Sequence, residues 1–371
     1  MESLKSLLQF LNDTLDPDIG KTIEDCHRRA LNWEPVDRLP LVVTYPYPGS
    51  QRFQPFPHRE VFSNPEKMLW NELVHAFDTS ICLHSEINDD LPLTIRANFG
   101  TVVIASLFGG TVEQREDNPP WIRHFETKDE FKTIFGKDPH DFSQGICPQV
   151  IARYRFYHEI TGDYPNLKKC IKIVMPDLQG PLDSLELLRG SEIYTDFILD
   201  PELIETGLSL MAESQVAFAR HLQQFTTDGP AGFSHQHAVT IKGNILIRND
   251  SAIMISPEMY AAQVAPYDEF VLNQLSGGGI HSCGKIDFNI PEIFKLKSIK
   301  CFDFGQSYLN DMNAIYPLAR EKKIPLIRYR PVKEELLSGK THEQFPTGVS
   351  LVYDAASFDE AVYITKHYQN R

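Results

Sequence analysis

Short apolar runs rich in β-branched residues alternate with amphipathic helical stretches along almost the whole chain, and this feature constrains the fold more than any other. Strands covered on both faces read as continuous apolar runs, and strand–helix alternation predicts a parallel sheet with covering helices. The runs occupy residues 39–45, 79–84, 171–176, 232–237, 244–248, 279–283, 299–304 and 325–329, with a ninth at 348–353. Eight strand–helix units in one domain of 371 residues favour a closed (β/α)₈ TIM barrel. The barrel proper would span about 39–355, after an N-terminal helical extension. Residues 97–125 contain an apolar run at 101–107 among Gly and Pro, and read as a β-hairpin insertion after the second strand.

An open, doubly wound sheet is the alternative. Its nucleotide-binding form is disfavoured, because no GxGxxG or Walker loop follows a strand. Gly277-Gly278-Gly279 precedes its strand, on the wrong side for phosphate. Helix starts are marked by Asp200-Pro201-Glu202 and Ser256-Pro257-Glu258, each an N-cap residue, a Pro and a first-turn acid. Ile204, Leu208, Met211, Phe218 and Leu222 then fall on one helical face. Pro266 should kink or split the second of these helices.

A net charge of -14 argues against broad nucleic-acid binding, although a few converging arginines still suit a small anion. The N-terminus lacks a secretory pattern, and no apolar run approaches the ~20 residues that cross a bilayer. Cys26, Cys82, Cys147, Cys170, Cys283 and Cys301 are spread along the chain and form no disulfide framework. The expectation is a cytoplasmic protein with free thiols.

The strongest local signal is Gly279-Ile280-His281-Ser282-Cys283-Gly284. Residues two apart in a strand share a face, so His281 and Cys283 project together. At the carboxyl end of a barrel strand that face is the active-site mouth. An imidazole and a thiolate there make half of a tetrahedral zinc site. The plainer reading is a backbone-bonded His beside a buried Cys.

Ser256-Pro257-Glu258-Met259-Tyr260, Ala265-Pro266-Tyr267 and His281-Ser282-Cys283-Gly284, in that order, resemble a run found in the uroporphyrinogen decarboxylase superfamily. Ala30-Leu31-Asn32 through Asp37-Arg38-Leu39-Pro40 resembles its lead into the first strand. Leu178-Gln179-Gly180-Pro181-Leu182 resembles its third-strand turn, and Asp200-Pro201-Glu202 the helix start after it. The resemblance covers roughly residues 25–355 and implies a barrel with its site at the carboxyl mouth. One branch contains cofactor-free decarboxylases that grip a carboxylated tetrapyrrole with arginines. Its Met-Arg-Gln-Ala-Gly-Arg type loop is replaced here by residues 44–52, which keep only Arg52. The other branch contains zinc methyltransferases that activate a thiol for methyl transfer from a corrinoid protein, using His-x-Cys and a later Cys. His281 and Cys283 match the first pair, while Ser350-Leu351-Val352-Tyr353-Asp354 holds no cysteine.

The resemblance therefore implies a methyltransferase with zinc and a corrinoid partner, or a lyase, or a non-catalytic subunit that holds a corrinoid or thiol ligand. Asp303 or Cys301, on the strand after His281, would complete the metal set, with Asp354 behind them. His235 and His237 form a second His pair for acid–base work or a structural role. Asp250 closes the next strand as a proton-transfer candidate. Arg52, Arg328 and Arg330 are candidates to grip an anion, or partners of nearby acids. Tyr45, Tyr47, His84 and Glu86 are candidates to line the pocket, and Asp78 to cap the second strand. Barrels of this type often pair, so a homodimer is the expectation for assembly.

Overall fold

The apolar runs lie side by side in the computed structural model, which describes residues 3–46, 52–77, 86–114, 117–228, 232–236 and 238–369. The strands are β1 (Leu41–Thr44), β2 (Thr94–Ile95), β3 (Thr111–Glu113), β4 (Trp121–Arg123), β5 (Lys172–Ile173), β6 (Phe233–Gln236), β7 (Val239–Lys242), β8 (Leu246–Arg248), β9 (Gly278–Ser282), β10 (Ile299–Phe304), β11 (Leu326–Tyr329) and β12 (Val349–Asp354). Six of them form one parallel sheet in the order β1-β12-β11-β10-β9-β8, and β2 pairs with β5 in parallel.

Backbone bonds extend this arrangement beyond β1 and β5. Asp90 N–H donates to the Leu41 carbonyl at 2.8 Å, and Thr227 N–H to the Ile173 carbonyl at 2.9 Å. That order is consistent with a barrel-like fold. Among the described residues, however, no strand ladder joins the β2/β5 pair to the six-stranded sheet, so the strands form a sheet and a pair rather than one hydrogen-bonded ring. The loop after β5 nevertheless packs tightly on β8. A Cβ on Gly180 would stand 2.3 Å from the Arg248 carbonyl oxygen.

Three sequence expectations change. The run at 232–237 does not join the parallel sheet: β6 pairs antiparallel with β7, turning through Ala238 at φ +58°. The β-branched stretch Val239–Lys242 lies only a turn away, and closing so short a loop costs little entropy. The stretch at 101–107 is helical over Val103–Leu107, where every residue is buried, so it lacks the alternation of a half-buried strand. The inserted hairpin is instead β3 with β4. The expected second strand at 79–84 lies outside the described residues, and β2 supplies the parallel strand that follows.

The interior is layered. Leu246 and Cys301 both align with Gly279, and their side chains pack with Val239, Ile241 and Ile327, so the β6/β7 hairpin fills the lower layer. Gly279 is required there, since an added Cβ would stand 2.5 Å from Cys301 Sγ. One residue pair higher, Arg248 and Asp303 both align with His281. Outside the strands, Asp200 caps Pro201–Leu222 by accepting from Leu203 N–H, and a π-helical turn, Tyr260–Val264, runs into Ala265–Gln274 at Pro266. Among the described residues, no helix is long and apolar enough to cross a membrane.

Candidate metal centre

The ends of β8 and β9 bring three donor side chains together. Asn249 N–H bonds the His281 carbonyl at 2.9 Å, carrying the ladder one residue past β8 and placing Asp250 above His281. His281 and Cys283 project on the same side, as period-2 alternation requires. Their Nε2 and Sγ atoms are 3.4 Å apart, and Nε2 lies 3.5 Å from Asp250 Oδ1. That carboxylate oxygen also accepts Cys283 N–H at 2.7 Å. The ligand atoms of Asp250, His281 and Cys283 all lie within 4.8 Å of one another. Tetrahedral zinc with bonds of about 2.0–2.3 Å puts ligand atoms roughly 3.3–3.6 Å apart, so the Nε2–Sγ and Nε2–Oδ1 spacings fit that ion. His281 is 3% exposed and Asp250 43%, which leaves the outer side reachable.

Behind His281, Asp303 Oδ2 is 2.8 Å from Nδ1. With Nδ1–H donating to this carboxylate, the Nε2 lone pair points at the cluster, as in carboxylate–histidine–metal arrangements. Arg328 holds Asp303 in turn: Nε donates to Oδ1 at 2.6 Å, and Nη2 bonds Oδ2. Its backbone sits at φ +61°, where the β11/β12 register shifts. Such an irregularity re-aims a side chain.

The ionisation states suit a metal ligand set. Burial lowers the His281 pKa against the pull of Asp303, keeping the imidazole neutral. Burial, with Asp250 adding to it, pushes the Cys283 thiol up to about 11, so it stays protonated until a cation arrives. Burial opposes the Asp303 charge, yet Arg328 and His281 outweigh it and hold the carboxyl well below its usual range.

Among the described residues the group able to hold a metal is Asp250, His281 and Cys283, and neither Asp303 nor Cys301 is part of it. Asp303 is spent on Arg328 and His281 Nδ1. Cys301 lies a layer lower, where its thiol donates to the Lys242 carbonyl at 3.5 Å. The arginines expected to grip substrate are also committed. Arg328 holds Asp303, Arg330 Nε bonds Asp354 Oδ2 at 2.9 Å, and Arg52 stacks over Phe53 with 4.7 Å to the ring centroid. Asp354 is tied further by Thr44 Oγ1 at 2.6 Å. His235 belongs to the plugging hairpin: its N–H and Nδ1 meet Asp228 at 2.6 and 3.0 Å. It lines a separate cavity of about 260 Å³ with Met175 and Asn244. Tyr45 packs on Phe358, and Glu86 is exposed. Tyr47, Asp78, His84 and His237 lie outside the described residues.

Two supporting residues gave no local signal in the sequence. Asp183 accepts Asp250 N–H and Ser251 N–H, both at 2.9 Å, clamping the loop that carries the third donor. Burial and the nearby Asp250 push its carboxyl up to about 8. In sequence it reads only as a first-turn helix acid. The second is Arg248, level with His281. Met254, Phe288, Tyr308 and Val332 are exposed and lie in the segments that follow β8, β9, β10 and β11.

No family model matches the chain, and no curated protein matches it in sequence. Among solved structures it is similar to a methyltransferase from Methanosarcina mazei, with a TM-score of 0.65 and 16% identity. The match covers 92% of this chain and 96% of the other. At that identity it is a likeness of fold alone.

Proposed function

We propose that the chain is a zinc-dependent methyltransferase that moves a methyl group between a corrinoid carried by a partner protein and a thiol. The observation that carries this reading is the triad of Asp250, His281 and Cys283 at the carboxyl edge of β8 and β9, with spacings suited to tetrahedral zinc. The donor set of one nitrogen, one sulfur and one oxygen resembles catalytic zinc sites, which keep a fourth position open. The chemistry such an ion supplies is activation of an incoming thiol to its thiolate, the nucleophilic form.

The protein's own residues prepare for this. Asp303 meets His281 at Nδ1 and sets the direction of the ring, and Arg328 holds Asp303. Asp183 holds the Asp250 loop in place. Cys283 would release its proton on becoming a ligand, which would make metal uptake pH-dependent. The alternative of a carboxy-lyase gripping its substrate with Arg328 and Arg330 is weakened, because both guanidiniums already have carboxylate partners.

Metal analysis of the purified protein tests the reading. One zinc per chain is expected, falling to background in His281→Ala and Cys283→Ala. Background zinc in the wild type, or unchanged zinc in both variants, refutes it. Turnover of methylcobalamin with simple thiols then separates an enzyme from a binding subunit.

A further inference from the structure

A cavity of about 850 Å³ lies beneath the β3/β4 hairpin, where Arg96 and Asn98 follow β2 and Asp177 follows β5. None of Asp250, His281 and Cys283 borders it. Asp177 does, and its Oδ2 lies 2.7 Å from Nε of Arg248, so one ion pair joins the cavity wall to the layer of His281. Most of that wall is apolar, built by Val61, Phe62, Pro119, Pro120, Trp121 and Ile122. Ligand sites are commonly of this size and combine apolar walls with a few polar groups.

The charged side chains around the cavity are matched among themselves. Glu72 accepts Arg96 N–H at 2.9 Å and Asn98 Nδ2 at 3.0 Å, and the Arg96 charge acts on it favourably. Glu113 pairs with Arg123 at 3.4 Å, and Asp177 with Arg248. An ionic ligand would have to break one of these pairs or be enclosed without a counterion, and both are costly. An uncharged ligand meets no such barrier. Trp121 adds a requirement of shape. It is 58% exposed, although its strand neighbour Ile122 is 1% exposed, and its ring meets no other aromatic ring among the described residues. An uncovered indole at the edge of an apolar cavity offers its face to a flat molecule.

We propose that this cavity is a second binding site, which takes a small, uncharged molecule with a flat apolar body stacked on Trp121. The inference stands apart from the metal centre, since none of the three donor side chains contributes to the cavity.

Two fluorescent probes with one body and different charge test it. N-phenyl-1-naphthylamine is neutral, and 1-anilinonaphthalene-8-sulfonate is the same ring system carrying an anion. Both are titrated into the full chain at pH 8, where imidazole is ordinarily uncharged, because His58, His75 and His124 also border the cavity. The neutral amine should bind saturably at a single site, and the sulfonate at least about tenfold more weakly. Trp121→Ala removes an exposed ring and should weaken the amine about tenfold, with circular dichroism unchanged. Thr101→Trp places an indole in the cavity from its border and should weaken it as well. A sulfonate that binds as tightly as the amine, an amine that binds equally well to both variants, or no saturable binding overturns the inference. Treating the protein with a chelator should leave binding of the amine unchanged, so this inference and the metal reading fail by different results.

Discussion

Replacing Asp268 by Asn should convert a pH-dependent weakness of the fold into a pH-independent one. Asp268 is wholly buried beneath the site. Tyr260 O–H and Asn249 Nδ2 converge on its Oδ2 at 2.8 and 2.7 Å, while Oδ1 has no partner and is the oxygen suited to carry a proton. Burial, opposed by these two bonds, raises the carboxyl from 3.8 to about 7. Because the folded pKa lies above the unfolded one, the contribution is fully present below pH 3.8 and is lost as pH rises through 7. The shift of 7 − 3.8 = 3.2 corresponds to about 4 kcal/mol. Asn keeps an acceptor for both donors and does not ionise, although its amide leaves a buried N–H unmet at a constant cost of about 1–3 kcal/mol. Urea denaturation at pH values from 4 to 8.5 should therefore give stability curves that converge or cross. The variant should gain about 4 kcal/mol relative to wild type across that range. Parallel curves would show that Asp268 is ionised in the fold and would refute the reasoning.

Three further outcomes follow from the packing of the site. Asp183→Asn places an amide against the Asp250 or Ser251 N–H and should weaken metal binding roughly 10–100-fold, read by chelator competition, with circular dichroism unchanged. Asp303→Ala leaves Arg328 buried without its carboxylate and should cost about 3–5 kcal/mol in denaturant unfolding; an unchanged midpoint would show that the pair is not buried. Gly180→Ala drives a methyl group into the Arg248 carbonyl and Ile247 Cγ2, at 2.3 and 2.5 Å, and should destabilise by about 1–3 kcal/mol or more, measured as a fall in thermal midpoint.

Sequence alone determined the features whose physics is local. Alternation of apolar runs and amphipathic stretches implied a parallel sheet with covering helices, and the six-stranded sheet has that form. Period-2 geometry within one strand put His281 and Cys283 on one side, because no long-range information is needed for residues two apart. The cap at Asp200 and the disruption near Pro266 were legible for the same reason. What lay across strands was not. Asp303 and Cys301 were the expected companions of His281 and Asp250 only a proton-transfer candidate; which of them stands beside Nε2 depended on the register, the layer and the partner of each side chain. The β10/β9 pairing set Cys301 a layer too low, and the irregular backbone at Arg328 gave Asp303 a partner of its own. Asp183 and Arg248 acquired meaning only because a loop and a neighbouring strand, far apart in the chain, were folded against the same few ångströms of space.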